Sequence, residues 1–501
     1  MYFAQYYLDC LSQASYLVGD ETTGQAVVVD PRRDVEEYVA DAAAHGLRIV
    51  GIINTHFHAD FVSGHLELAK ATGAWIGYGA AGRAAFAVRP LHDGERISLG
   101  EVTVEIMETP GHTPESISVL VYEHADDETA YGVLTGDALF IGDVGRPDLL
   151  ASVGVTADEL GRALYHSVQT KLMGLPDAVR VFPAHGAGSA CGKNLSTERQ
   201  STIGAQRAEN YACQPMSEAE FVEVVTEGQP SAPAYFSYNA SLNKQDRPVR
   251  ELDAAATALS DEQVDAALAD GALVLDARPA AEYSAGHLRG SVSVPADGRM
   301  AETVGMVVAP DRRVVLLAAN GDEQQAATRL ARIGFDQVVG YVPDPEGYLV
   351  RNADRVERAS RLTAAAAESA LRDNDVQLVD LRNAGELSIG AVPGAVHIPL
   401  PELTANFMGI GGFVGPLPVP FSELILARLR ERDTGPRDFL DLFNHRVLSI
   451  AYRIRRHHRV GYERGNPEQH RFADALFALM GLGMSGDALR DRQRVPDRAY
   501  L

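Results

Sequence analysis

Residues 55–65 read Thr-His-Phe-His-Ala-Asp-Phe-Val-Ser-Gly-His and follow directly on the apolar run Ile49-Val50-Gly51-Ile52-Ile53. That run has the length and composition of a buried strand. A strand that delivers His-x-His-x-Asp onto the loop at its carboxyl end sets imidazole and carboxylate donors side by side, outside the core, where a metal ion can be held. Three further stretches repeat the device. The alternating Val102-Thr103-Val104-Glu105-Ile106 runs into Thr109-Pro110-Gly111-His112, Gly132-Val133-Leu134-Thr135 into Gly136-Asp137, and Val181-Phe182-Pro183-Ala184 into His185. Glycines beside three of these donors permit tight turns. A lone histidine is ordinarily a surface or satisfied core group, but four donor-bearing strand ends in succession are not explained that way.

The series His-x-His-x-Asp, His, Asp, His resembles the metallo-β-lactamase superfamily over roughly the first 245 residues. The resemblance implies an αββα sandwich with its ligands on one edge. Dinuclear members such as the hydroxyacylglutathione hydrolases usually carry a histidine directly after the loop aspartate, and here that position is Phe61. The loss of that donor argues for a single metal held by His56, His112 and Asp137. Two imidazoles and one carboxylate form the ligand set of non-haem Fe(II) oxygenases.

The stretch Gly136-Asp137-Ala138-Leu139-Phe140-Ile141-Gly142-Asp143-Val144-Gly145-Arg146-Pro147-Asp148-Leu149 is similar to the persulfide dioxygenases. The resemblance implies an enzyme of sulfide detoxification that oxidises the sulfane sulfur of a thiol persulfide, glutathione or similar, with O2 to sulfite and free thiol. It assigns one Fe(II) per chain to His56, His112 and Asp137, sets His58, Asp60 and His185 around the open face for proton transfer, and makes Arg146 a support through Asp148. Lys193 and Arg199, just past His185, are candidates to meet the carboxylates of the thiol carrier. Two competing readings stand beside this one: a hydroxyacylglutathione-hydrolase-like thioesterase with two zinc ions, and a non-catalytic scaffold.

A net charge of −23 speaks against nucleic acid as a partner. No apolar run approaches the ~20 residues of a membrane span, and the start Met1-Tyr2-Phe3-Ala4-Gln5 has no leader signature. Three cysteines in 501 residues make no disulfide framework, so a cytoplasmic location is expected. A homo-oligomer is compatible with all of this.

Four domains are expected: the first over 1–245, then 255–355, 360–402 and 403–501. In the first, Tyr16–Gly19 and Gln25–Pro31 read as a hairpin, and 34–45 and 65–72 as helices. Strand and helix patterns are expected to alternate onward through Val119 and Val181, with Ser196 to Cys213 helical. Beyond Leu259, Asp276, Arg278, Glu282, Gly286, Gly290 and Pro295 recur 104 residues later as Asp380, Arg382, Glu386, Gly390, Gly394 and Pro399, each set after an apolar strand (272–275 and 376–379). The first set resembles rhodanese domains, which carry sulfane sulfur on a cysteine; at that position stands Ala318, which cannot. The Asp-Arg pairs read as ion pairs holding the scaffold.

The second copy stops soon after Pro399, short of its catalytic half, so its sheet edge needs cover. The first 400 residues resemble an architecture of dioxygenase, cysteine-free rhodanese and active rhodanese found in bacterial sulfide detoxification, with the last domain interrupted. From Leu403 the chain resembles part of a type VI secretion baseplate protein of the TssG type. Helices are expected over 422–432 and 439–457, a basic run at Arg453 to Arg459, and protein contacts through this tail. The junction cuts a domain rather than a linker, which favours a chimera over a genuine fusion. The resulting fold class is α/β: the αββα sandwich, rhodanese-like α/β units, then a mostly helical tail.

Overall fold

A computed structural model describes residues 1–149, 155–229, 232–233, 235–249, 256–359, 362–372, 378–382, 384–387 and 390–400. The chain divides into Met1–Glu402 and Leu403–Leu501. The expected tail helices and the basic run fall outside the described residues, as does the start of the strand expected over 376–379.

Two six-stranded sheets face each other. The first is built in chain order from β1 (Tyr2–Leu8), β2 (Gln13–Asp20), β3 (Gln25–Val29), β4 (Arg48–Ile53), β5 (Trp75–Gly79) and β6 (Arg89–Leu91). The second runs in the order β12 (Ser201–Thr202), β11 (Arg180–Pro183), β10 (Gly132–Gly136), β9 (Ile117–Tyr122), β8 (Thr103–Glu108) and β7 (Arg96–Ser98). The period of two decides which layer each side chain joins. Tyr16 and Val18 of β2 and Val27 and Val29 of β3 meet Val104, Ile106, Val119, Val121 and Phe182 between the sheets. Leu17, Ala26 and Val28 point the other way, onto α1 (Glu36–Ala44) and α2 (His65–Thr72) through Tyr38, Ala42 and Leu68. Strands covered on both faces read as continuous apolar runs, which is why Ala26-Val27-Val28-Val29 shows no polar alternation. On the outer face of the second sheet, α3 (Ala157–His166), α4 (Ile203–Glu209) and α5 (Glu218–Thr226) bring Leu164, Ile203, Phe221 and Val225 against Val133 and Val181. This is the expected αββα sandwich.

Two expectations fail. Between α2 and α3 the described chain forms strands β5 to β10 with no α-helix among them, because the alternating segments pair through turns, as in the six-residue antiparallel register of β8 with β9. The span Ser196–Cys213 is not one helix but the edge strand β12, α4 and a 3₁₀ turn at Tyr211–Cys213. Thr202 starts α4 late, its hydroxyl accepting the Ala205 N–H at 3.2 Å. Asn210 then takes an extended backbone and caps the next turn instead, its side-chain oxygen accepting the Ala212 N–H at 3.0 Å.

After α6 (Phe236–Leu242) comes the rhodanese-like unit, where β14 (His287–Leu288) stands apart from a sheet of four parallel strands in the order β15 (Val292–Ser293), β13 (Leu273–Asp276), β16 (Val314–Leu317) and β17 (Val338–Tyr341). Its helices include α7 (Asp261–Ala269), α8 (Ala280–Ala285), α9 (Met300–Val307) and α10 (Glu323–Arg332). The repeat is structural. Arg278 clasps Asp276 at 2.7 and 3.0 Å and reaches the Gly286 carbonyl at 2.9 Å; Arg382 does the same to Asp380 (2.6 and 3.0 Å) and Gly390 (3.0 Å).

The sandwich and this unit share a core: Ala59, Phe61, Phe140 and Cys191 pack in one cluster with Leu275, Met300, Ala301, Val304 and Leu316. Polar ties flank it. The Val62 N–H donates to the Arg332 carbonyl at 2.7 Å, and Arg332 pairs with Asp34 at 2.5 and 3.0 Å. The wholly buried Arg33 bonds the Ala331 carbonyl (2.8 Å), Asp336 (2.7 Å) and Glu67 (3.2 Å). Glu67 in turn receives Arg247 at 2.7 Å. Burial alone would raise the Glu67 carboxyl, but the Arg247 and Arg33 guanidiniums hold it below its usual range. No described helix is long and apolar enough to cross a membrane.

Replacing Glu67 by Gln strands two buried guanidiniums beside a neutral amide. We expect the loss of about 3–5 kcal/mol of stability, read as a lowered urea midpoint.

Candidate metal centre

The loop after β4 takes its shape from a carboxylate on the neighbouring strand. Asp30, immediately after β3, is 1% exposed and sits at φ 51°, the left-handed region uncommon for a residue with a side chain. It accepts the Thr55 N–H at 2.8 Å and the Thr55 hydroxyl at 2.9 Å, and His58 Nε2 lies 2.9 Å away. Thr55 Oγ1 is 3.0 Å from His56 Nδ1. Both loop imidazoles are thereby held by one nitrogen, leaving His56 Nε2 and His58 Nδ1 buried and unbonded among the described residues.

The other donors are held the same way. His112 Nδ1 donates to the Arg146 carbonyl at 2.9 Å, and His185 Nδ1 to the Ser12 carbonyl at 3.2 Å. A ring nitrogen that faces a carbonyl carries the proton, so the opposite nitrogen presents a lone pair. Gly111 turns the chain into His112 at φ 148°, where a Cβ would stand 2.4 Å from Leu164 Cα. Gly136 does so before Asp137 at φ 52°, with Thr55 Cβ at 2.7 Å.

These elements converge on two adjacent groups. The ligand atoms of His56, His112 and Asp137 lie within 4.8 Å of one another, as do those of His58, Asp60 and His185. Asp137 Oδ2 is 3.4 Å from His112 Nε2 and 3.8 Å from His56 Nε2, while Oδ1 is 3.5 Å from His185 Nε2. Asp60 Oδ2 is 3.4 Å from the same nitrogen. All four oxygens of Asp60 and Asp137, with His56 Nε2, His58 Nδ1 and His185 Nε2, are buried without a hydrogen-bond partner among the described residues. Leaving so many polar atoms unmatched is costly. A bound cation would offset that cost for the atoms that reach it, and the donors fit a metal cofactor.

The electrostatics agree. His56 is held well below the usual imidazole range by burial and by His58, His112 and His185, so its ring is neutral and Nε2 offers a lone pair. His58 is drawn upward: burial opposes its protonation, but Asp30, Asp60 and Asp137 outweigh it.

The remaining anticipated residues lie as follows. Arg146 grips Asp148 with two bonds, at 2.7 and 2.8 Å, while its carbonyl holds His112. Phe61 is buried with its ring 4.3 Å from that of His58. Lys193 is engaged within the chain, its ammonium donating to the Val224 and Glu227 carbonyls and lying over the Tyr211 ring. Arg199 is exposed, 3.1 Å from Asp9 and over the Tyr7 ring. Ala318 is buried at the end of β16 in the shared core.

Four residues were not anticipated. Asp30 is the first, though an acid at a strand end before proline is a signal of the same kind as Asp137. Cys191 groups with Asp137 and His185, and burial together with Asp137 and Asp60 pushes its thiol well up. Tyr235 is buried with a hydroxyl unbonded among the described residues, and it feels Glu302, Asp60 and Cys191. Glu302, from α9, is buried, and burial pushes its carboxyl up to about 7, with Asp60 adding to the rise and Arg299 and His185 opposing it.

Comparison with known proteins fits this geometry. The family model of the metallo-beta-lactamase superfamily matches residues 8–185, that of the rhodanese-like domain 260–343, and that of type VI secretion TssG 334–501. The mitochondrial persulfide dioxygenase ETHE1 of Bos taurus is 31% identical over 172 residues, 34% of this chain and 63% of that protein. A hydroxyacylglutathione hydrolase of Polaromonas sp. is 32% identical over 174 residues, 34% of this chain and 61% of that one. The matches thus span under two thirds of these relatives. A solved metallo-beta-lactamase from Staphylococcus aureus subsp. aureus COL superposes with a TM-score of 0.61 at 31% identity, over 68% of this chain and 98% of that one.

Removing the support beneath the donors has a measurable cost. Asp30→Asn is expected to weaken metal binding about 10–100-fold in competition with a chelator, and Asp137→Ala to lower the bound metal per chain.

Proposed function

The chain belongs to the metallo-β-lactamase superfamily, and we propose that its first domain is a mononuclear iron(II) dioxygenase that oxidises the sulfane sulfur of a thiol persulfide to sulfite. The observation that carries this reading is Phe61: an apolar ring is packed against His58 where a further donor would favour a second metal. The resemblance of residues 136–149 to persulfide dioxygenases supports it.

In this reading His56, His112 and Asp137 hold the metal, and iron bound there supplies the redox chemistry that joins sulfur to O2. The chain does the rest. Phe61 and Phe140, both buried, keep bulk water from the cluster. His58, made more basic by Asp30, holds a proton at Nδ1 for the departing thiolate. His185, its Nδ1 proton committed to Ser12, accepts a proton at Nε2 from the water consumed with O2, with Asp60 beside it.

A second reading, a zinc thioesterase with two metals, draws on the group His58, Asp60 and His185 and on the hydrolase relatives. Metal content and O2 uptake separate the two. With glutathione persulfide, the anaerobically iron-loaded chain is expected to hold one iron, consume O2 and release sulfite. Two zinc ions, thioester hydrolysis and no O2 uptake would establish the hydrolase instead.

A further inference from the structure

The rhodanese-like domain has lost its sulfur-carrying residue, yet its helix α9 is built into the wall of the metal centre. Met300, Ala301 and Val304 share a core with Ala59, Phe61, Phe140 and Cys191. Gly305 allows the contact: a Cβ there would stand 2.3 Å from the Tyr235 ring. Inside that seal Glu302 is 5% exposed and lies within electrostatic reach of Asp60 and His185. Its partner is Arg299, one turn back, whose side chain is 38% exposed. The pair therefore runs from the buried donors toward solvent.

What Arg299 faces gives it a use. Its Nη1 occupies the space a side chain on Gly188 would fill, three residues past His185. Nε and Nη2 are engaged by Glu302, and Nη1 has no hydrogen-bond partner among the described residues. On the same loop, Tyr7 Oη stands 2.5 Å from where a Cβ on Gly186 would be. The Arg199 guanidinium lies 4.2 Å above the Tyr7 ring, and both Arg199 and Arg299 act electrostatically on Tyr7. The Arg199 guanidinium otherwise pairs, among the described residues, with Asp9, 84% exposed, and exposed ion pairs of that kind are weak enough to exchange for a ligand. Two guanidiniums and a phenol thus surround a backbone kept bare by two glycines, directly beyond a histidine of the metal centre. A planar guanidinium fork matches a carboxylate, and because Glu302 already offsets part of the Arg299 charge, the mouth suits single negative charges rather than a dianionic phosphate.

We propose that the cysteine-free rhodanese-like domain serves as the substrate-reading wall of the metal centre, its Arg299, with Arg199 and Tyr7 of the first domain, docking a carboxylate of the thiol carrier. The proposal rests on the reading of the first domain as a persulfide-oxidising site. In it Arg299 is a specificity residue, Glu302 the positioning residue that fixes it, and the domain persists for recognition rather than sulfur transfer.

Calorimetric titration of the metal-loaded full chain tests this with glutathione, which has two carboxylates, glutathione diethyl ester, which has none, and 2-mercaptoethanol. The wild type is expected to bind glutathione at least tenfold more tightly than its ester. Arg299→Ala is expected to remove that preference, to raise KM for glutathione persulfide about tenfold at unchanged kcat, and to leave KM for 2-mercaptoethanol persulfide unchanged; Arg299→Lys is expected to fall between. Equal binding of glutathione and its ester by the wild type would overturn the proposal without any variant. So would parallel losses for both thiols in Arg299→Ala, which mark a structural role, or tighter binding of coenzyme A than of glutathione. A wild type that binds glutathione through Arg299 but consumes no O2 would sink the dioxygenase reading and leave the docking site standing.

Discussion

Everything at the candidate metal centre hangs on one buried carboxylate that stands behind the donors rather than among them. Asp30 accepts two bonds from Thr55 and one from His58, and through Thr55 it fixes His56. A residue held in the left-handed region carries strain of order 1–3 kcal/mol, and the three bonds are what keep it there. The arrangement couples sheet register to ligand geometry, because β3 and β4 are parallel neighbours and the acid at the end of one strand organises the loop at the end of the next. The same logic recurs at β10 and β11, whose ends carry Asp137 and His185.

The second constraint is the seam between the sandwich and the rhodanese-like unit. Glu67 lies on α2, directly after the metal loop, and it is shared by Arg33 and Arg247, while Arg33 continues to Asp336 in the neighbouring unit. Ionic groups this deeply buried cost desolvation that only full pairing offsets. With Arg332–Asp34 and the Val62 backbone bond, they tie the end of α10 to the loop that carries the candidate donors.

How much of this was legible in the sequence depended on whether the signal was local. Histidines and aspartates at strand ends, period-two apolar runs and a repeat at a fixed offset are local, and the sandwich, the donor clusters and the paired Asp-Arg clasps could be read from them. The helix expected over Ser196–Cys213 was lost to equally local competition that pattern matching underweights, since Thr202 and Asn210 cap their own neighbours and break the span into pieces. Cys191 and Glu302 were illegible for a different reason. Nothing near either in sequence says that one will meet Asp137 and the other Asp60; a glutamate in the apolar helix Met-Ala-Glu-Thr-Val-Gly-Met-Val hinted only at a buried acid.

The glycine at position 305 carries a consequence for how such a chain changes over generations. With a ring 2.3 Å from its missing Cβ, it ties the helix of one domain to the tyrosine of another, so neither domain is free to drift alone. The residue at position 318, by contrast, has only to be small and apolar to fill its place in the joint core. Position 318 can therefore change its chemistry at a single codon while the domain stays bound, contact by contact, to its neighbour.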